Sequence, residues 1–155
     1  MNISKTLLLA AAVVFPWAAA ATAQNDTPAQ ADLKAIQGIW QVAKWVDPDG
    51  TLAPADEIKG TSFEFKDDRV IKRTDGQARE PLKVALDPSK KPKWIDFDAG
   101  DPLDVKKQGI YKLEGGELTI CIISGSRGDR PAERPTEFKA NKEKHHTLIV
   151  LRKAK

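Results

Sequence analysis

Three carboxylates lie close together in the sequence and are the first candidates for chemistry. Asp96, Asp98 and Asp101 carry oxygen ligands of the kind that calcium prefers. A calcium loop of the EF-hand type needs acceptors at alternating positions and a glutamate at the twelfth, but the twelfth residue counted from Asp96 is Lys107. The motif is therefore absent, and the pattern favours a strand end followed by a solvated turn at Gly100.

The two histidines of the chain are adjacent, His145 and His146. If they begin a strand, their side chains point to opposite faces, so they cannot both bind one metal ion. No serine–histidine–aspartate or cysteine–histidine arrangement can be argued from so few candidates. We therefore predict no metal site, no cofactor and no enzymatic activity.

Residues 124–133 form a stretch rich in glycine, arginine and proline, and Arg134 follows it directly. Arg127, Arg130 and Arg134 together have the guanidinium groups that bind a phosphate or a carboxylate. An exposed loop without a ligand is the alternative, and the composition favours it. Just beyond the loop, we expect Glu137 to satisfy a buried arginine or backbone donors, and Phe138 to lie in the core.

Aromatic side chains are spread along the chain, and Trp45, Trp94 and Tyr111 are the candidates for binding a ligand. A barrel of about eight strands either fills its interior with side chains or holds one small molecule. Small-molecule sites are usually apolar cavities with a few polar groups. Two interpretations stay open: these aromatics are core, or they line a site for a small hydrophobic molecule.

Cys121 is the single cysteine, and it lies in the apolar run of residues 118–123. A small buried hydrophobic residue is therefore favoured over a reactive thiol, and no internal disulfide can form. The 25 Lys and Arg residues and the 22 Asp and Glu residues are interspersed along the chain. This pattern is typical of a solvated surface, whereas nucleic-acid binding needs a one-sided basic stripe.

The first 23 residues have the order of a secretory signal peptide. Lys5 gives a positive start, residues 7–14 are an unbroken apolar run, and Ala21-Thr22-Ala23 fits the small-x-small cleavage pattern. The run is shorter than the ~20 residues that span a bilayer. We expect cleavage near Ala23, export to the periplasm or the medium, and no stable membrane insertion. The mature chain should be a monomer with a flexible leader at residues 24–31 and one domain at 32–155.

Short strands and turns are predicted to position these residues. Gly115-Gly116 is the strongest hairpin signal. Regular strand spacing without long helical crossovers predicts an all-β sandwich or barrel, most economically an antiparallel meander. The predicted strands cover residues 39–46, 61–66, 69–74, 81–87, 93–98, 108–114, 117–123 and 147–152. A short strand or extended piece is predicted at 136–140, and helical turns are predicted at 32–36 and 54–59.

The first strand begins with Gly38-Ile39-Trp40, which resembles the G-x-W that opens lipocalin barrels, and Arg152 lies at the end of the last strand. In lipocalins an arginine of the last strand packs over that tryptophan, which is a favourable cation–aromatic pair. The resemblance therefore implies that Gly38, Trp40 and Arg152 close the base of a barrel.

Four collinear stretches are more specific: DLKAIQGIW at 32–40, LDPSKKPKWID at 86–96, GIYKLEGGELTIC at 109–121 and RPTEF at 134–138. They resemble a family of short lipocalin-like domains abundant in planctomycete bacteria, from which the segment 97–107 departs. The resemblance implies an antiparallel up-and-down barrel of about eight strands, but the family has no settled activity. We expect an exported barrel that binds a small hydrophobic molecule. The alternative is a non-catalytic interaction module that presents loops such as residues 124–133 to a protein or a cell surface.

Overall fold

The computed structural model describes residues 26–100, 106–124 and 133–154, which contain two short helices and nine strands. The predicted signal peptide lies outside the described residues. The helices are α1 (Pro28–Ala35) and α2 (Ala55–Lys59). The strands are β1 (Gly38–Val46), β2 (Thr61–Lys66), β3 (Arg69–Thr74), β4 (Gln77–Ala78), β5 (Leu82–Asp87), β6 (Lys93–Asp98), β7 (Lys107–Glu114), β8 (Glu117–Ile123) and β9 (His146–Lys153).

Eight of these strands form a closed antiparallel barrel. Hydrogen-bonded neighbours follow the order β2-β1-β9-β8-β7-β6-β5-β3, and β2 pairs with β3 to close the ring. The two-residue β4 is an extra strand that pairs with the end of β3. Each of these eight strands thus pairs with the barrel strands next to it in the chain, except that β1 and β9, the first and the last, pair with each other. The prediction of an all-β, antiparallel up-and-down barrel of about eight strands is confirmed.

The hairpin turns have the backbone that their sequences predict. Gly115 and Gly116, between β7 and β8, have φ angles of 58° and 80°. A two-residue turn with positive φ at both positions matches the right-handed twist of the strands, and glycine adopts it without steric cost. The predicted hairpin therefore forms in the expected register, with Glu114 opposite Glu117.

A β-bulge in β1 changes which side chains face the interior. Val42 pairs with Leu151 of β9, but Lys44 pairs with Val150, so Ala43 is an extra residue in β1. A bulge of this kind shifts the alternation of side chains by one position. Trp40 and Trp45, an odd number of positions apart, therefore both face the interior.

Helix α1 closes one end of the barrel, which we call the closed end. Its N-terminus has a capping box, in which the side chain of Thr27 accepts from the backbone of Gln30 and the side chain of Gln30 accepts from the backbone of Thr27. The predicted helical turn began only at Asp32, and the predicted flexible leader ran to residue 31. The start of the helical turn is corrected to Pro28, where the cap places it, so residues 28–31 of the predicted leader are helical.

The closed end is packed tightly. Ile36, just after α1, is fully buried, and its carbonyl accepts a 2.7 Å hydrogen bond from the indole Nε1 of Trp40. The backbone N–H of Asp67, in the β2–β3 turn, donates to the side chain of Gln37 at 2.7 Å. Hydrogen bonds therefore join the segment after α1 to the first strand and to the first hairpin at the closed end.

Residues 133–141 lie against the outer face of β7, β8 and β9, and we call them the strap. Pro135 is fully buried, the Cys121 thiol donates to the Lys139 carbonyl at 3.4 Å, and the His146 ring lies 2.7 Å from the Glu133 carbonyl. Within the strap, only Asn141 forms a β-bridge, with His146, and no residue belongs to a strand. The segment predicted at 136–140 is therefore not a strand of the barrel. It forms a second layer outside the wall.

Candidate functional site

The half of the barrel away from α1 contains a cavity of about 510 Å³. Most of its wall is aliphatic or aromatic. The apolar lining residues are Trp45, Phe63, Val70, Leu82, Phe97, Ala99, Ile120, Ile122, Ile149 and Leu151. Small-molecule sites in proteins typically have volumes of ~300–1,000 Å³, so the cavity is large enough for a ligand of ordinary size.

Strand alternation directs both aliphatic and aromatic side chains inward at this level, and they line the cavity without filling it. Ile149 lies opposite Ile120 across β8–β9 and opposite Trp45 across β1–β9. The bulge at Ala43 is what turns Trp45 toward this space. The large side chains Trp40 and Tyr111 are buried nearer the closed end, so they leave the other half unfilled.

Four charged residues complete the lining, and we call them the rim: Lys72, Arg79, Glu80 and Lys107. Lys72 is half-buried on the inner face of β3, opposite Phe63, and its Nζ lies 4.7 Å from the centre of the Trp45 ring. Arg79 is held beside it, because its backbone N–H donates to the Lys72 carbonyl at 2.8 Å.

The rim is electropositive. Burial lowers the pKa of Lys72, and the neighbouring charges of Arg79 and Lys107 lower it further. Three cations therefore converge on the cavity, with Glu80 as the one carboxylate among the described lining residues. Such an arrangement can hold a negatively charged group next to an apolar compartment.

The three predicted ligand-binding residues lie in different places. Trp45 lies in the cavity wall, as expected. Trp94 is 37% exposed on the outer face of β6, between buried Ile95 and the turn before it, so the prediction that it lines the interior is wrong. Alternation along β6 explains the error, because Ile95 and Phe97 take the inward positions.

Tyr111 faces inward but at the closed end, and it is not part of the cavity wall. Its hydroxyl donates to the Asp32 carboxylate, which also accepts from Lys93 Nζ at 2.7 Å. Burial, together with the Asp32 hydrogen bond, strongly raises the pKa of Tyr111. For Asp32 burial acts to raise the pKa, but the Lys93 and Tyr111 hydrogen bonds outweigh it and hold the pKa below its usual value. The triad fastens α1 to β6 and β7.

The cation over Trp40 is not the predicted one. Lys153 Nζ lies 5.5 Å from the centre of the Trp40 ring, and Lys153 is the cross-strand partner of Trp40. Arg152 faces outward and forms a 2.8 Å ion pair with Glu117. The expectation that Arg152 closes the base is wrong, because adjacent residues of a strand point to opposite faces. Gly38 and Trp40 do lie at the closed end, as expected.

Arg134 is a partly buried residue whose guanidinium already contacts groups of the barrel wall. Its Nη1 donates to the Gly109 carbonyl at 2.7 Å and lies 2.6 Å from Asp96 Oδ1, while the guanidinium stacks 4.2 Å from the centre of the Trp94 ring. Arg127 and Arg130, the other arginines of the predicted cluster, lie outside the described residues. Glu137 is exposed, so the partner of the buried arginine is Asp96.

The remaining candidates are accounted for by local contacts. Asp98 forms a 2.9 Å ion pair with Lys106, and Asp101 lies outside the described residues. His145 is exposed, whereas His146 is buried under the strap. Within residues 26–100, 106–124 and 133–154, no group of three or more His, Cys, Asp or Glu side chains is placed to hold a metal ion. Burial raises the pKa of Cys121 to about 11. Phe138 is half-buried beneath Lys112 on the outer surface and not in the barrel core.

The fold and the site together define a closed antiparallel barrel that has an apolar cavity with a cationic rim. In comparisons with known proteins, the chain matches no protein-family model, no curated protein and no solved structure. Neither of the two described helices is long and apolar enough to cross a bilayer.

Proposed function

We propose that this protein is an exported, lipocalin-like barrel that binds one small, mainly apolar molecule in its cavity. The observation that carries the proposal is the unfilled apolar half of the barrel, with a volume of about 510 Å³. Each methylene group that a ligand buries there contributes about 0.8 kcal/mol. A chain of several methylenes therefore gives useful affinity even after the cost of immobilising the ligand.

The division of the barrel into two halves supports this function. The closed end contains the largest buried side chains, Trp40 and Tyr111, and is fastened by α1, so it can keep the fold stable without help from the cavity. Half-buried Leu82 and Ile122 in the cavity wall remain partly accessible. A ligand can thus enter without disturbing the packed end.

The direct test is binding of N-phenyl-1-naphthylamine, a neutral dye that becomes fluorescent in apolar surroundings. We expect saturable binding with one site per chain. Leu82→Trp should abolish it, because the indole fills part of the cavity. Ile39→Trp is the matched control, since Ile39 is 44% exposed on the outer face of β1. Absence of binding, or equal binding by both variants, would contradict the proposed function.

Export is tested separately, because it rests on the first 23 residues. N-terminal sequencing of protein recovered from outside the cytoplasm of its host should begin near Gln24. A chain that retains Met1 would refute export but would leave ligand binding untouched.

A further inference from the structure

We propose that the ligand of the cavity has an anionic head group, a carboxylate or a phosphate ester at the end of an apolar chain, which Lys72, Arg79 and Lys107 bind at the rim. This inference rests on the proposed function and specifies the chemical class of the ligand. The apolar chain occupies the interior, and the head group lies where the wall changes from apolar to charged.

The position of Lys72 is the first argument. It lies at an inward position of a barrel strand, where its neighbours in the wall are Phe63, Val70 and Trp45. A lysine at such a position loses hydration, which is unfavourable unless an opposite charge compensates it. Its four-carbon stem can lie along the apolar wall while Nζ lies at the rim.

The surroundings of Lys72 are the second argument. The ion pairs within the described part of the chain do not include Lys72, Arg79 or Lys107. By contrast, the other partly buried cations of the described residues, Arg73, Lys112 and Arg134, each have a carboxylate partner. With Glu80 contributing one negative charge, the rim keeps a net positive charge, which an anionic ligand would neutralise.

The shape of the site is the third argument. The backbone N–H of Arg79, directly after β4, donates to the Lys72 carbonyl, which places Arg79 beside Lys72, and Arg79 lines the cavity at the rim. A guanidinium can donate two parallel hydrogen bonds to a carboxylate or a phosphate, and a lysine adds a point charge. The two lysines and the arginine at the rim thus match an anionic head group, and the apolar compartment matches the tail of the same molecule.

The test compares three probes that share a ten-carbon chain: 1-decanol, decanoate and decyl phosphate, each displacing N-phenyl-1-naphthylamine. An apolar cavity without an anion site prefers decanol, because a carboxylate is better hydrated. We expect the opposite: at low ionic strength decanoate or decyl phosphate should bind at least about tenfold more tightly than decanol. The tighter of the two anions identifies the head group. Added salt should reduce the preference for the anions over decanol, because the rim is partly exposed to solvent.

Variants assign the preference to the rim. The dissociation constant of decanol divided by that of the preferred anion measures the preference. In Lys72→Met this ratio should fall at least about fivefold, since methionine has a side chain of similar length without the charge. Arg79→Gln changes an exposed side chain and gives an independent measure if Lys72→Met does not fold. Lys83→Met, which removes an exposed lysine 3.9 Å from Asp68, should keep the wild-type ratio.

The outcomes separate the two proposals. If the dye binds, and decanol binds as tightly as both anions or more tightly, the anionic head group is overturned. The proposal of an apolar ligand is unaffected by that result. An anion preference that persists in both Lys72→Met and Arg79→Gln would also overturn it. If the dye and all three probes fail to bind, both proposals fall.

Discussion

Replacing Arg134 should destabilise the barrel, because its guanidinium makes three separate contacts. In Arg134→Met the Gly109 carbonyl loses its 2.7 Å donor, Trp94 loses the guanidinium 4.2 Å from its ring centre, and the Asp96 carboxylate loses its cation. The Arg134 side chain is only 13% exposed, so water cannot replace these contacts fully.

The magnitude follows from these three losses. A hydrogen bond from a charged donor is worth ~1.5–3 kcal/mol, and a partly exposed cation–aromatic contact ~0.5–1 kcal/mol. Breaking a fully buried ion pair costs ~3–5 kcal/mol, but the Asp96 side chain is 33% exposed and keeps part of its hydration. We expect the free energy of unfolding to fall by about 3 kcal/mol and the melting temperature by about 10 °C.

Urea denaturation followed by circular dichroism measures the effect. The matched control is Arg152→Met, because Arg152 is 69% exposed and its pair with Glu117 should be worth less than about 1 kcal/mol. In a second variant, Arg134→Met with Asp96→Asn, about 1 kcal/mol should be recovered, since the unpaired charge is gone. Equal effects of Arg134→Met and Arg152→Met would refute the structural role of Arg134.

Three further outcomes are expected. Gly109→Ala should lower the free energy of unfolding, measured in urea, by about 2 kcal/mol or more. The new Cβ would lie 2.5 Å from the Cys121 carbonyl oxygen, which cannot move without shifting β8. An unchanged free energy would contradict the close approach of β7 and β8 at Gly109. With a pKa of about 11, Cys121 should react with a thiol reagent at pH 8 at least about 100-fold more slowly in the native protein than in urea, and equal rates would show the thiol to be accessible. The pKa of Asp32 is held below its usual value by Lys93 and Tyr111, so its contribution is present above pH ~4 and is lost as the pH falls through the lowered pKa. Asp32→Asn should therefore be less stable than the wild type at pH 7 and lose less stability between pH 7 and pH 3; parallel pH profiles would exclude this role.

The barrel could be predicted because its strands are short, alternate in polarity and are separated by turn residues. Phe63 and Phe65, or Ile95 and Phe97, show their inward face directly in the sequence. The final strand does not, because residues 147–151 are almost continuously apolar. The sequence therefore could not decide whether Arg152 or Lys153 faces Trp40.

The rim could not be predicted because its residues come from distant parts of the chain. Lys72, Arg79 and Lys107 are three of 25 Lys and Arg residues, and none has a local pattern that sets it apart. One feature of the sequence indicated that Lys72 faces inward: it follows Val70 by two residues in a strand of alternating polarity. The bulge at Ala43 had none, although it decides the orientation of Trp45, because a bulge is defined only by the partner strand.

The barrel wall is uneven in strength around its circumference. The strap doubles it across β7, β8 and β9, whereas β3 and β5 share only two residue pairs, Arg69 with Lys83 and Val70 with Leu82, the shortest ladder in the ring. Local opening of a protein occurs where the fewest backbone hydrogen bonds must break. If a molecule binds in the cavity as proposed, we expect fluctuations of this seam, beside which Arg79 and Glu80 lie, to set the rate at which it leaves. Release of the proposed ligand and global unfolding would then be governed by opposite sides of the same small barrel.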